Sequence, residues 1–282
     1  FRRDLVGVYL DMETNFTDKW RSSLALRHDR YSDFGGATTG SFSNRYDFTS
    51  KVAVRGSVST GFRAPALAQQ HYAATASALN TTINAFQDQR TAPVNDPVAR
   101  LLGAEDLKAE NSQNVSAGLV LQPTDAFSAT LDAYRIRIDD RITLSSTLNV
   151  QTPVAQAYLA ANGIPSGLYQ SVRYFTNAVD TTTTGVDMVA QYRHRFAHGG
   201  RLNSSLGYSY ARTKVTDVKP NPAVLDDNGL TLQRIDRRDR YGVLTDSTPR
   251  SKLSLGSDYS IGSWNLHGNL VRYGSFVAIR NT

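Results

Sequence analysis

The 282-residue sequence predicts an all-β protein whose antiparallel strands form the wall of a transmembrane β-barrel. About ten segments alternate apolar and polar residues, which is the period of a strand with two different faces. The connections alternate strictly between turns of about two to five residues and loops of roughly ten to fifty residues. Many segments are about 10–14 residues long, which is enough for a tilted crossing of a bilayer. A soluble β-sandwich has no reason to collect every long loop at one end.

The first four strands establish the two faces of the wall. They are predicted near residues 4–16, 20–28, 42–48 and 52–62. In the fourth strand, Arg55, Ser57 and Ser59 occupy the polar side, which we expect to face the lumen. The opposite side is expected to face lipid and carries Val52, Val54, Val58 and Phe62.

Six further strands follow the same pattern. They are predicted near residues 115–121, 127–138, 171–196, 202–210, 253–261 and 264–270. In the second of these, the alternation slips in phase near Tyr134, because Ile136 and Ile138 then share one side. A β-bulge at this position would account for the slip.

Three long loops are predicted, over residues 63–111, 143–170 and 214–249. The first is expected to be irregular, since its polar sequence shows no clear strand or helix period. The second is expected to contain one short helix over residues 154–161, which Asn162-Gly163 would end.

Aromatic residues gather near the ends of the predicted strands, where the girdles of a membrane barrel lie. Those beside the short turns are Phe16, Trp20, Phe48, Phe127, Phe196 and Trp264. Those nearer the long loops are Tyr31, Phe62, Tyr134, Tyr210 and Tyr273. Because Tyr and Phe favour strands in any setting, a water-soluble barrel or β-solenoid remains an alternative at this point.

Composition excludes several other classes of protein. No run approaches the roughly 18 apolar residues of a membrane helix. The chain has no cysteine, so disulfides and cysteine-ligated metals are excluded. The net charge of +6 is too diffuse to indicate nucleic-acid binding. The densest basic cluster, residues 234–240, contains Asp236 and Asp239 and is predicted to be a solvated loop.

Four sequence blocks resemble TonB-dependent outer-membrane receptors. They are RGSVSTGFRAP at residues 55–65, LKAENS at 107–112, YRIRIDDRI at 134–142, and YFTNA at 174–178 followed by TGVD at 184–187. Together the blocks follow the order found in that family and span residues 27–195 with their flanking strands. Outside this region, the likeness lies in the strand pattern more than in motifs.

The resemblance implies a 22-stranded barrel in the outer membrane of a Gram-negative bacterium, filled by an N-terminal plug that contacts TonB. The sequence contains about ten strand patterns and no plug-like segment, so residues 1–282 are expected to be a segment from the C-terminal half of such a barrel. Other strands must complete it, because an open sheet edge is not tolerated in lipid. The implied partners are outer-membrane lipid and lipopolysaccharide, TonB through the plug, and a small-molecule ligand such as a ferric siderophore.

No arrangement of residues indicates catalysis, a metal site or a cofactor. The glycine spacing from Gly56 to Gly61 suits a phosphate-binding loop, but Phe62 stands where that loop requires lysine. His194 and His198 are four residues apart in a strand and turn context, where they would not share a metal as they would on a helix. We therefore expect a protein that is not an enzyme.

The long loops carry the residues that are candidates for gripping a large, often anionic ligand. Cationic and aromatic side chains suit this role, although packing within the loops would use the same residue types. The candidates are Arg63, His71, Tyr72, Phe86, Arg90, Tyr158, Tyr169, Arg173 and Tyr174. The predicted inner face also carries charge, from Arg27, Arg45, Arg55, Asp132, Asp187 and Arg193.

Three functional hypotheses follow. The first is a receptor for TonB-energised uptake of a scarce ligand, with a ferric siderophore as the default. The second is a passive outer-membrane porin with the same lumen and no plug. The third is a soluble β-rich binding protein, which would stay monodisperse without detergent.

Overall fold

A computed structural model describes residues 2–80 and 84–277 of the chain. The strands in this part are β1 (Leu5–Thr17), β2 (Trp20–Tyr31), β3 (Gly35–Thr49), β4 (Val52–Arg63), β5 (Ala74–Asn80), β6 (Ala85–Thr91), β7 (Glu110–Thr124), β8 (Phe127–Leu144), β9 (Leu148–Asn149), β10 (Ser171–Arg173), β11 (Phe175–Arg195), β12 (Arg201–Val218), β13 (Ser251–Ile261) and β14 (Trp264–Tyr273). The helices are α1 (Leu67–His71), α2 (Pro97–Leu101), α3 (Pro153–Ala161) and α4 (Ala223–Asp227), and Asp239–Asp246 form a π-helical segment.

Ten of the strands in the described residues form one antiparallel sheet, in the order β1-β2-β3-β4-β7-β8-β11-β12-β13-β14. Neighbours in the sheet follow one another along the chain, apart from the segments that leave it, so the sheet is a meander. This confirms the predicted wall of antiparallel strands. β1 and β14 stand at its two edges.

Short turns connect the strands at one end of the sheet. In three of them, a threonine hydroxyl accepts a hydrogen bond from a backbone amide two or three residues later. The Thr17 hydroxyl accepts hydrogen bonds from the backbone amides of Lys19 and Trp20, at 3.2 and 3.1 Å. Thr49 accepts from the amide of Lys51 at 3.1 Å, and Thr124 from that of Phe127 at 3.2 Å. Such side-chain bonds replace a backbone turn bond and make a tight reversal possible.

The strand register separates two faces of the sheet, as the alternation predicted. One row of directly opposed residues is apolar and comprises Met12, Leu24, Phe42, Val58 and Val115. A row on the opposite face is polar and comprises Arg21, Arg45, Arg55, Gly118, Asp132 and Asp187. We call these the outer face and the inner face.

Aromatic rings pack against each other at the short-turn end. Phe16 and Trp20 lie 4.8 Å apart, and Tyr46 and Phe48 lie 5.0 Å apart, between ring centroids. Phe196 lies 6.0 Å from Tyr259 across the sheet. The predicted band of aromatic residues beside the short turns is therefore present.

The predicted phase slip near Tyr134 is wrong. β8 pairs with β7 in unbroken register from Ala129 to Asp139. The irregularity lies further along, where the pairing of β8 with β11 shifts beside Asp140, whose φ is +55°. The Asn177 side chain donates to the Asp140 carbonyl at 2.6 Å, and Asp180 accepts from the Asp140 amide at 2.9 Å. These two bonds satisfy the backbone groups that the bulge removes from the ladder.

The long connections are ordered and form a second unit, which we call the cap (residues 64–109, 145–174 and 219–249). Its four-stranded sheet has the order β5-β6-β10-β9, so the expectation that residues 63–111 are irregular is wrong. The cap has its own hydrophobic core, to which β8 contributes Ile142: Ala92, Val94, Val98, Ala99, Leu102, Ala104, Leu107, Ile142, Leu148, Val150, Ala155, Leu159, Val172, Tyr174, Leu225 and Leu230.

The predicted helix over residues 154–161 is confirmed as α3. Thr152 caps its first turn by accepting a hydrogen bond from the amide of Ala155 at 3.2 Å, and Pro153 occupies the first helical position. The helix ends at Asn162 and Gly163, where Gly163 has a φ of +83°.

Among the described residues, no helix has both the length and the apolar character needed to span a membrane.

Candidate functional site

The inner face is organised by an ion pair that crosses a whole strand. Arg55 on β4 donates to Asp132 on β8, with Nε–Oδ1 and Nη2–Oδ2 distances of 2.8 and 2.6 Å. Gly118 of β7 lies between the two strands, opposite both residues. A Cβ atom at Gly118 would stand 3.0 Å from Arg55 and still closer to Asp132, so only glycine leaves the pair room.

At the rim, where the wall meets the cap, Arg63 also pairs across strands. Its Nε donates to the carboxylate of Glu110 on the neighbouring β7 at 2.8 Å. Glu110 accepts a further hydrogen bond from the backbone amide of Ile142 at 2.7 Å. The predicted ligand-binding residue Arg63 is thus anchored at its guanidinium, but its side chain remains half exposed.

Arg90 and Tyr169 are two candidates that the fold brings together. The Arg90 guanidinium carbon lies 5.9 Å from the centre of the Tyr169 ring. Its Nη2 lies 3.1 Å from Asp96, whose carboxylate also caps α2. Since β6 and β10 pair in parallel, Arg173 stands one position beyond Arg90 on the adjacent strand.

Tyr174 lies in the core of the cap and has no exposed surface. Its hydroxyl donates to the carbonyl of Leu102 at 2.7 Å, just beyond the end of α2. Burial raises the pKa of Tyr174. Tyr158 donates in the same way to the carbonyl of Leu101 at 3.3 Å, so both tyrosines hold α2 in place.

Arg173 is half-buried beside Tyr174. Its Nε donates to the backbone carbonyl of Ser145 at 3.0 Å. Burial lowers the pKa of Arg173, and the nearby carboxylate of Asp239 acts in the opposite direction. The side chain therefore has a structural partner at the junction between two loops.

The remaining candidates lie at the surface of the cap. Phe86 on β6 is 71% exposed, and Tyr72 at the end of α1 is 51% exposed. His71 is the last residue of α1 and is partly buried. An exposed ring of this size is available for contact with a ligand.

The comparisons with known proteins decide the family. The family described as "TonB dependent receptor-like, beta-barrel" matches residues 1–282, which is the whole chain. The chain belongs to this family.

Solved structures of TonB-dependent receptors share the fold. The siderophore receptor PirA from Pseudomonas aeruginosa matches with a TM-score of 0.61 at 15% identity, over 96% of this chain and 41% of that one. PirA from Acinetobacter baumannii matches with a TM-score of 0.61 at 17% identity, over 98% of this chain and 35% of that one. The RagAB peptide importer matches with a TM-score of 0.60 at 15% identity, over 95% of this chain and 33% of that one.

This chain therefore spans between a third and about two fifths of the length of these receptors. At such identities the likeness shows the fold alone. No curated protein matches the sequence. The TonB-dependent receptor barrel thus confirms the fold class that the strand pattern predicted, and places this chain in a family of receptors and transporters.

The cap of this TonB-dependent receptor also contains a polar cluster that the sequence pattern does not predict. The predicted solvated loop over residues 234–240 is wrong, because Arg234 is only 7% exposed and Asp239 only 5%. Ser146 joins the cluster: its hydroxyl donates to Asp239 and accepts from the amide of Asp236, the latter at 2.9 Å. The aspartates at positions 236 and 239 were the available signal, since acids interleaved with arginines can pair with them in a buried site.

Within residues 2–80 and 84–277, no three His, Asp or Glu side chains come close enough to hold a metal ion.

Proposed function

We propose that this chain forms part of the barrel of an outer-membrane receptor that takes up a scarce ligand, with a ferric siderophore as the ligand class. The observation that carries the proposal is an ordered cap of cationic and aromatic residues above a charged inner face, in a barrel of the TonB-dependent receptor family. PirA from Pseudomonas aeruginosa, which shares this fold, is a siderophore receptor.

In this proposal the barrel lies in the outer membrane of a Gram-negative bacterium. The cap faces outwards and the short turns face the periplasm, which is the usual arrangement of long loops and short turns in such barrels. Lipid and lipopolysaccharide surround the outer face. Energy for release of the ligand into the lumen comes from TonB, acting on a plug within the completed barrel.

The exposed candidates of the cap are proposed to contact the ligand, and the buried ones to hold them in position. Phe86 and Tyr72 present rings at the surface, and the partly buried Arg90–Tyr169 pair adds a ring and a cation. These groups suit a bulky anionic complex, because a ring offers apolar contact area while a guanidinium neutralises charge. Tyr158, Tyr174 and Arg173 bond to backbone carbonyls and fix the cap that carries them.

Uptake of labelled ferric siderophores by cells that produce the complete receptor tests this function. We expect accumulation that stops when the inner membrane is de-energised. Uptake that continues without energy would overturn active transport in favour of a porin, which would also pass ion currents in planar bilayers. Because RagAB is a peptide importer, labelled peptides form a second arm of the experiment. Energy-dependent uptake of peptides alone would replace ferric siderophores by peptides as the proposed ligand class.

Two variants test whether the ring and the cation of the cap contact the ligand. Phe86→Ala and Arg90→Gln are expected to weaken ligand binding to whole cells. Val154→Ala serves as the control, since Val154 is also exposed in the cap but offers neither a ring nor a charge. Equal ligand affinity in all three variants would show that this surface is not part of the binding site.

A further inference from the structure

One oxygen of a buried carboxylate on the inner face has no partner. Asp29 on β2 is only 3% exposed, and the Nε of Arg27 donates to its Oδ2 at 2.7 Å. Among the residues that the structure describes, no group donates a hydrogen bond to Oδ1 of Asp29, although this oxygen is also buried. A buried carboxylate oxygen without a donor is costly, so Oδ1 requires a donor from another part of the receptor.

The unpartnered oxygen lies over the edge strand of the sheet. Gly7 of β1 pairs directly opposite Asp29, and β1 is an edge strand of the wall in the described residues. A Cβ atom at Gly7 would collide with Oδ1 of Asp29, so the carboxylate covers the inner side of this glycine. The carboxylate therefore extends away from β3 and towards the open side of β1.

The same arrangement occurs in the middle of the wall, with its partner present. There Asp132 of β8 pairs directly opposite Gly118 of β7, and a Cβ atom at Gly118 would collide with Oδ1 of Asp132. Arg55 pairs with Gly118 from the other side and donates to that oxygen from Nε at 2.8 Å. Asp29 and Gly7 thus reproduce the aspartate and the glycine of this arrangement, and only the cation is absent from the described residues.

The chemistry of the site selects a long basic side chain as the donor. Neighbouring strands lie about 4.8 Å apart, so a residue on the far side of Gly7 must span most of about 10 Å to reach the short side chain of Asp29. Arginine and lysine have this reach and are pure donors. A cation suits the site better than a neutral donor, because the carboxylate is buried while its present partner, Arg27, is half exposed.

We infer that the wall strand that pairs with the open side of β1 carries an arginine or lysine directly opposite Gly7, and that this residue donates to Oδ1 of Asp29 across the glycine. A further strand is needed there because lipid does not tolerate an open sheet edge. The ion pair fixes the register of that strand, since a slip by one residue would turn the cation from the lumen to the lipid. The inference rests on the proposed location of the wall in the outer membrane.

Disulfide cross-linking in the complete receptor identifies the residue opposite Gly7. Tyr9→Cys, at the next inner-face position of β1, is combined with single cysteines along the other wall strands. Directly opposed residues have Cα atoms about 4.5–5.5 Å apart, which a disulfide can bridge. Because barrel strands pair antiparallel, the residue opposite Gly7 lies two positions after the one that cross-links to position 9. We expect arginine or lysine there, and any other residue would overturn the inference.

A double-mutant cycle then tests whether the two residues interact. Asp29→Asn, and replacement of the basic residue by glutamine, are each expected to lower the equilibrium constant for folding in lipid vesicles about tenfold. The double variant is expected to lose little more than either single variant, because both changes remove the same bond. Additive losses would overturn the ion pair, and so would unchanged stability in both single variants.

Asp11→Asn is the matched control, since Asp11 also lies on the inner face of β1 but is exposed. It is expected to leave the folding equilibrium unchanged and to show no coupling to the basic residue. A loss equal to that of Asp29→Asn would indicate a general effect of charge on the inner face and would overturn the specific pair. Because energy-dependent uptake of ferric siderophores is measured separately, failure of this ion pair leaves the transport proposal standing.

Discussion

At the scale of single residues, the ion pair on the inner face requires a residue without a side chain at position 118. Gly118 is the one position of β7 over which the Arg55–Asp132 ion pair passes. The pair ties β4 to β8 across the intervening strand, which no backbone hydrogen bond can do. The charge pattern of the inner face was visible in the sequence, but the partner of Arg55 was not, because it lies 77 positions away.

Gly118→Ala is expected to destabilise the barrel by about 1–3 kcal/mol, because the new methyl group collides with both members of the ion pair. The free energy of unfolding in urea, measured in lipid vesicles, tests this. Gly207→Ala is the matched control on the inner face, since its Cβ would meet only Ser254, at 3.8 Å. Equal losses in the two variants would show that the ion pair needs no such space.

Val54→Arg tests the assignment of faces. Val54 is 38% exposed on the outer face, so an arginine there is expected to cost about 2–4 kcal/mol near the bilayer midplane and less towards an interface. Ser57→Arg is expected to be tolerated far better, because Ser57 lies on the inner face beside Ser116. Similar yields of folded protein in vesicles for both variants would contradict the assignment.

At the scale of elements, the sequence predicts the wall better than the cap. Wall strands alternate over many residues, and α3 is bracketed by Thr152-Pro153 and Asn162-Gly163, so both follow from local rules. β5 and β6 have no comparable alternation and are held by pairing with each other and with β10. The position of the bulge beside Asp140 does not follow from the sequence of β8 alone, because the side chains of Asn177 and Asp180 on β11 bond to its backbone.

Tyr174→Phe is expected to loosen α2 by about 1–3 kcal/mol, since the buried carbonyl of Leu102 would lose its donor. Hydrogen exchange at residues 97–104 is the measurement. Tyr158→Phe is the control with a weaker effect, because its bond is longer at 3.3 Å and its side chain only partly buried. Since burial raises the pKa of Tyr174, its contribution should hold below about pH 10 and fall as pH rises further.

The contact between the β2–β3 turn and α1 is expected to weaken at acid pH. A hydrogen bond from Arg3 holds the pKa of Asp33 below its usual range, and Gln70 of α1 adds a second. The stabilisation is therefore present above about pH 4 and is lost as pH falls through the lowered value. Faster hydrogen exchange of residues 66–72 on acidification should report the loss. Asp33→Asn should abolish this dependence, whereas Asp4→Asn, in an exposed ion pair, should preserve it.

At the scale of the whole molecule, each wall strand is expected to have one face towards lipid and the other towards the lumen. The family and the barrel wall could be predicted from alternation, loop lengths and four sequence blocks. The candidate site could be predicted only as a set of loop residues. Whether a side chain such as Tyr174 is exposed or buried depends on a core built from three loops, and no local pattern reports that.

Cysteine labelling can map the two environments, because the 282 residues contain no cysteine. With the receptor in vesicles, Thr130→Cys is expected to react with a water-soluble maleimide, since it lies on the inner face. Leu131→Cys, its neighbour on the outer face, is expected to react only after the lipid is dissolved. The reverse order of reactivity would mean that the inner and outer faces have been assigned the wrong way round.

The core of the cap also sets an order of events in folding. Wall strands pair with the wall strands that precede and follow them along the chain, so each pair can form once its second strand is present. The cap core joins Ala92 to Leu225 and Leu230, so it cannot close until the third loop has been laid down. The cap that carries the surface proposed to recognise the ligand therefore closes only after eight of the ten wall strands in the described residues have been laid down. We therefore expect most of this part of the wall to be paired before the binding surface is complete.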